Sequence, residues 1–140
     1  MGARSKSRKR ALDVLYAADM RDETPRQVLD RMVEEAVGPF NPYVETLVDA
    51  VSEHLDVVDG LLRRYSESWS LERMPVVDRN VLRLGVVEVL FSEEIPDAVA
   101  VSEAVALVSS LSTDESPAFV NGVLGAIMRD KDSLLAEVAG

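Results

Sequence analysis

Apolar residues recur every three or four positions along almost all of the 140-residue chain, and no segment sustains a period of two between turn signals. That pattern argues against a sheet and predicts an all-α fold. Ala11, Leu12, Leu15 and Ala18 form the inner stripe of a first helix, with Val14 and Tyr16 at its margins. Thr24, Pro25 and Gln27 read as a capping box with proline at the first helical position, opening a second helix whose stripe is Val28, Leu29, Met32, Val33 and Ala36. The segment VGPFNP ends it. Asn41 and Pro42 repeat the cap-and-proline start for a third helix bearing Val44, Leu47, Val48, Val51 and Leu55. Asp56 and Asp59 start a short fourth helix to Tyr65, and SESWSLERMP reads as a connector. A long, strongly apolar helix from Pro75 to Phe91 is predicted as the central element, followed by helices over 99–111 and 117–128. The closing RDKDSLLAEVAG either extends the last helix or frays.

About seven helices in two packed bundles are therefore expected. The division falls into a three-helix lobe over 1–55, a four-helix lobe over 56–130 and a tail over 131–140, together one compact domain. A hydrophobic content of 47% is enough for a proper core at this length. Gly85, Gly122 and Gly125, inside helical patterns, read as positions of close helix packing; GVLG at 122–125 spells a KH-type GXXG but lies within a helix, not in a loop.

Charge is placed unevenly. The first ten residues hold five of the 15 Lys and Arg and none of the 25 Asp and Glu, on a chain of net charge −10. Because the Debye length is only about 8 Å at physiological salt, a ligand at this end responds to the local cations more than to the total. From charge alone the basic start is either a solvated tail or a polyanion-binding arm. It is not read as a secretory leader, since Asp13, Asp19 and Arg21 interrupt the apolar region one would need. No apolar run approaches the roughly 18 residues of a membrane span. With no cysteine and one histidine, His54, neither a thiolate nucleophile nor a Cys or His metal cluster is available. Arg83, Glu88 and Glu103 read as structural ion pairs between apolar helices rather than acid–base machinery, so neither an enzyme nor a cofactor or metal is expected, and the protein is expected in the cytoplasm.

Four segments, RKRALDVLY at 8–16, VDRNVLRLGVVEVL at 77–90, IPDAVAVSEAVAL at 95–107 and SPAFVNGVLG at 116–125, together resemble the NusB family of bacterial transcription antitermination factors. FVNGVL is the most specific of them. Ser102, Ser109 and Val87 depart from the residues common there, an Asn, a Lys and an aromatic. The resemblance implies an all-α adaptor that pairs with the ribosomal protein NusE, binds single-stranded boxA-type sequence in nascent ribosomal RNA and acts on the transcription elongation complex. A homodimer or protein-binding helical scaffold, and a free-standing NusB-like rRNA-targeting domain, are the alternatives.

Within that role, Arg4 and Arg8 fall on the same stripe as Ala11, Leu12 and Leu15. Unpaired guanidiniums are too costly to bury, so the first two turns are expected to project beyond the bundle or fray, with Lys6, Lys9 and Arg10 on the other sides. The expected second half of the RNA site is the start of the last helix. There Ser116 would cap it, Glu115 with Asp114 would accept from base amino groups, Phe119 would either stack on a base or fill a gap between helices, and Asn121 would either read a base edge or cap a neighbour. By resemblance the solvent edge of the long helix meets NusE through Asp78 and Arg79 with nearby Tyr65; Tyr65 and Trp69 alternatively cover the lobe junction.

Overall fold

The computed structural model describes residues 2–36 and 39–140. Among them are eight helices and no strand: α1 (Ala3–Arg21), α2 (Pro25–Glu35), α3 (Pro42–Glu53), α4 (Leu55–Tyr65), α5 (Val76–Phe91), α6 (Asp97–Leu111), α7 (Ser116–Arg129) and α8 (Lys131–Ala139). Local chemistry sets most boundaries. The Thr24 side chain accepts from the Gln27 amide at 3.2 Å while the Gln27 side chain accepts from the Thr24 amide at 3.0 Å, completing the capping box of α2. Asn41 accepts from the Tyr43 amide at 2.9 Å to start α3. α1 ends on Asp22, whose φ of 54° is the left-handed conformation that closes a helix. Pro75 and Pro96 sit immediately before α5 and α6. The break expected at Val37 and Gly38 falls outside the described residues.

α5 is the axis of the molecule. Val81, Leu82, Leu84, Val86, Val87, Val89 and Leu90 are all buried, and the helix packs on α1, α3, α4, α6, α7 and α8. α1, α2 and α3 also pack on one another, and α6 on α7, over one contiguous apolar core. α1 and α5 run antiparallel, as ion pairs from Arg8 to Glu88 at one end and from Asp19 to Arg79 at the other require.

Several expectations are corrected at this level. The segment after α7 neither extends it nor frays: the chain breaks at Asp130 and forms α8, which buries Leu134. Met32 is only partly buried and Val33 is exposed, so α2 rests on Val28 and Leu29. Of Gly85, Gly122 and Gly125 only Gly85 is a close-packing site. A Cβ there would stand 2.5 Å from Leu124 Cδ1 across the α5–α7 contact, whereas Gly122 has open space and Gly125 meets only the Arg129 side chain.

Gly85→Ala should gain about 1 kcal/mol of helix propensity but lose about 1–3 kcal/mol to overpacking against Leu124. The expected result is a lower urea midpoint. Because the two sites share one space, Leu124→Ala should cost less in the Gly85→Ala background than in the unaltered chain.

Candidate nucleic-acid interface

α1 is helical from its first turn, so the arm does not project as a separate element. Arg8 is buried, its side chain only 4% exposed. Its Nε donates to both oxygens of Glu88, at 2.8 and 3.0 Å, and Nη1 lies 3.3 Å from Glu103. Tyr43 of α3 donates its hydroxyl to the same Glu88 carboxylate. The expectation that Arg8 projects into solvent and contacts phosphate is thus corrected: the guanidinium is buried because it is paired. Burial alone would lower the Arg8 pKa, but the hydrogen bond and charge of Glu88, with Glu103 behind it, raise it. Burial and the Glu88 carboxylate push the Tyr43 phenol up.

Locking Arg8 inward exposes its neighbours. At about 100° per residue, Lys6 and Arg10 lie roughly 160° around the helix from Arg8, and Lys9 about 100°. Lys6 and Arg10 are exposed, and among the described residues no carboxylate pairs with Lys6. Arg10 stacks over Phe40 at 4.5 Å. Lys9 holds Asp13 at 2.7 Å and Arg4 holds Glu94 at 3.0 Å, both exposed pairs that a phosphate can displace at little cost. Arg4 also lies 5.6 Å from the centre of the Tyr43 ring. Four accessible cations, Arg4, Lys6, Lys9 and Arg10, therefore stand on a rigid helix end.

At the start of α7, Ser116 is fully buried and belongs to the helix; Glu115 precedes it. Its hydroxyl accepts from the Thr113 amide at 3.3 Å and donates to Ser112 at 3.1 Å, and Ser112 donates to Asp78 at 2.5 Å. Ser116 is thereby corrected from an anion-holding cap to a link between α7 and the start of α5. Glu115 is exposed. Phe119 is half-buried and meets Trp69 edge-on, with ring centroids 4.9 Å apart, so one side packs and the other faces outward. Asn121 is exposed in a shallow groove with Ala98, Val101, Ser102, Val105 and Met128, and among the described residues it caps no neighbouring helix. α7 rests chiefly on α4, α5, α6 and α8, and the second half of α6 forms a groove with Ser5 and Lys9 of the arm.

The residues expected at a partner surface fare unevenly. Asp78 is fully buried rather than on the solvent edge, so it ties the start of α5 to Ser112 instead of offering charge to a partner. Arg79 is 19% exposed and donates to Asp19 at 3.0 Å and to the Leu71 carbonyl at 3.4 Å. Asn80 and Arg83 converge on the same Asp19, and Arg83 also pairs with Asp59. Burial pushes the Asp19 carboxyl up, but the Asn80 hydrogen bond and the Arg83 and Arg79 charges outweigh it and hold the group below the usual carboxylate range. Arg83, Glu88 and Glu103 are all in structural ion pairs, as expected. Tyr65 sits at an edge, donating to Asp130 at 2.6 Å. Sequence reasoning missed Tyr43 and Phe40, which brace the arm; their position beside the Asn41–Pro42 cap, the point where α3 enters against α1, was the available signal.

Comparison with known proteins finds relatives along nearly the whole chain. The profile described as NusB family matches residues 5–129. The transcription antitermination protein NusB of a Nocardioides species is 62% identical over 96% of this chain and 99% of its own length, and that of Thermobifida fusca 48% identical over 95% and 94%. Among solved structures, T. maritima NusB superposes with a TM-score of 0.83 at 31% identity, covering 97% of this chain and 98% of that one. A chain from a complex of antitermination factors NusB and NusE with double-stranded RNA superposes with a TM-score of 0.80 at 32% identity, covering 92% and 98%.

Arg8→Ala would strand Glu88 in the core, and a buried charge deprived of its partner costs about 3–5 kcal/mol. Urea unfolding should show a loss of that size. Arg8→Met combined with Glu88→Gln, which removes both charges and keeps an acceptor for Tyr43, should recover at least half of it.

Proposed function

The chain belongs to the NusB family, and from that premise we propose that it acts as an RNA-binding transcription antitermination adaptor. In this reading it joins the ribosomal protein NusE on single-stranded boxA-type sequence in ribosomal RNA within the elongation complex, as a cytoplasmic binding protein rather than a catalyst. The observation that carries the reading is the braced arm: Arg4, Lys6, Lys9 and Arg10 displayed from a helix end that Arg8, Glu88 and Tyr43 hold rigid. Pre-ordering the cations lowers the entropy lost when phosphates bind.

The other contacts follow by chemistry. Arg10 on Phe40 offers a planar cation and ring for base stacking, and Phe119 beside Trp69 offers a second aromatic face. Glu115 is placed to accept from base amino groups. Tyr65, the accessible member of the expected partner set, remains the candidate for NusE contact. Simultaneous RNA and protein contacts make the composite more stable than either pair by raising effective concentration.

Filter binding of a boxA-type RNA against a scrambled one tests the reading. Each of Lys6→Ala, Lys9→Ala and Arg10→Ala should flatten the log–log salt dependence by about 0.7 for a single strand. Phe119→Ala should instead cost about 1–3 kcal/mol of affinity with an unchanged salt slope. Equal binding of both RNAs, or a slope indifferent to all three cations, would refute it.

A further inference from the structure

Between α1 and α6 lies a cavity of about 340 Å³, lined by Ser5 and Lys9 on one side and by Glu103, Ala106, Leu107, Ser110 and Leu111 on the other. That volume is within the range of small-ligand pockets. Its wall is largely apolar, and Leu111 is 42% exposed at one end of it, a large aliphatic side chain left open to water in a groove that Lys9 also borders. We infer that this groove receives one unpaired nucleobase of the RNA strand whose phosphates the α1 cations hold, an inference that rests on the RNA-binding reading above.

Three observations select that occupant. The first is closure: Ser5 Oγ donates to Glu103 Oε1 at 2.6 Å, a bond that crosses from α1 to α6 and seals one end of the groove. Arg8 fixes Glu103 from below at 3.3 Å. A partner helix needs an open trough with anchors over two turns; a single planar ring does not. The second is charge. Lys9 stands on the rim, while Lys6 and Arg10 face Pro39 and Asn41 further round the same helix, so a phosphate held by Lys9 lies at the opening and leaves its base free to turn inward. An uncharged base, unlike a phosphate, gains by leaving water for Ala106, Leu107 and Leu111, while the exposed Ser110 hydroxyl can donate to or accept from its edge.

Continuity is the third. The groove begins at Ser5 and Lys9 of the arm and follows residues 103–111 of α6, roughly 12 Å at 1.5 Å per residue, toward the turn that leads into α7. A base seated there extends the strand's footprint from the arm along α6.

The test uses two substitutions outside the core. Ala106→Phe fills the groove and Leu111→Ser removes its end wall; both positions are exposed. Each should weaken binding of a single-stranded boxA-type RNA roughly 5- to 100-fold, with the salt slope and Tm unchanged, because a base contact and no phosphate contact is lost. In RNAs carrying 2-aminopurine at one position at a time, one position should change fluorescence on binding, and Ala106→Phe should abolish that change. If the unaltered protein binds the RNA while both variants bind equally well and no position responds, the groove is not a base site and the RNA-binding reading stands. Variants that lose NusE binding alone assign the groove to a protein and overturn the inference. An unaltered protein that binds no RNA overturns both.

Discussion

A guanidinium and a carboxylate from positions 80 residues apart meet in the dry interior, and the orientation of α1 depends on that meeting. Buried ion pairs contribute little net stability relative to an apolar replacement, because desolvation consumes most of the attraction. What this one contributes is uniqueness. Glu88 lies in the otherwise apolar second half of α5, and rotating α1 by even one position would carry Arg8 away and leave that carboxylate unpaired in the core. Tyr43 and Glu103 extend the constraint to α3 and α6, so a single cluster registers four helices. The outward set of cations is a geometric by-product of the inward one.

The opposite end of the α1–α5 pair is fastened differently. Asp19 gathers Arg79, Asn80 and Arg83, and Arg83 passes the charge on to Asp59 of α4. Clamped at both ends, α5 has no freedom to slide along α1, and Gly85 lets α7 approach its middle so closely that Leu124 occupies the place of a side chain. The display surface is therefore built on parts that share one packing solution, which is how a helix end keeps its geometry without a ligand.

The helices were legible because their signals are local: capping boxes, prolines at first turns and a 3.6-residue apolar period act within a few positions of themselves. α8 was ambiguous because its opening, RDKD, is polar and only Leu134 reaches the core. The misreadings were non-local. Arg8 looked too costly to bury because nothing near it in sequence announces Glu88. Asp78, in the first turn of α5, resembles a surface residue until Ser112 is brought to it from 34 positions away. Phe119 was poised between base stacking and packing, and its half-burial against Trp69 depends on a connector whose path periodicity does not describe. The family-matching segments were visible as strings, but which of their charges face outward is a property of the assembled bundle.

The unequal distribution of charge makes the molecule an electrical dipole. Outside its first ten residues the chain holds ten cations against 25 acids, so the remainder as a whole repels a polyanion. Long-range repulsion turns away encounters on the wrong side, and within a Debye length of the arm, about 8 Å, the sign reverses. An RNA strand that arrives is thereby oriented before it makes its first contact. In the proposed role, the acidity of the remainder narrows the approach to one end of one helix, and keeps the protein from spreading along nucleic acid as a uniformly basic chain would.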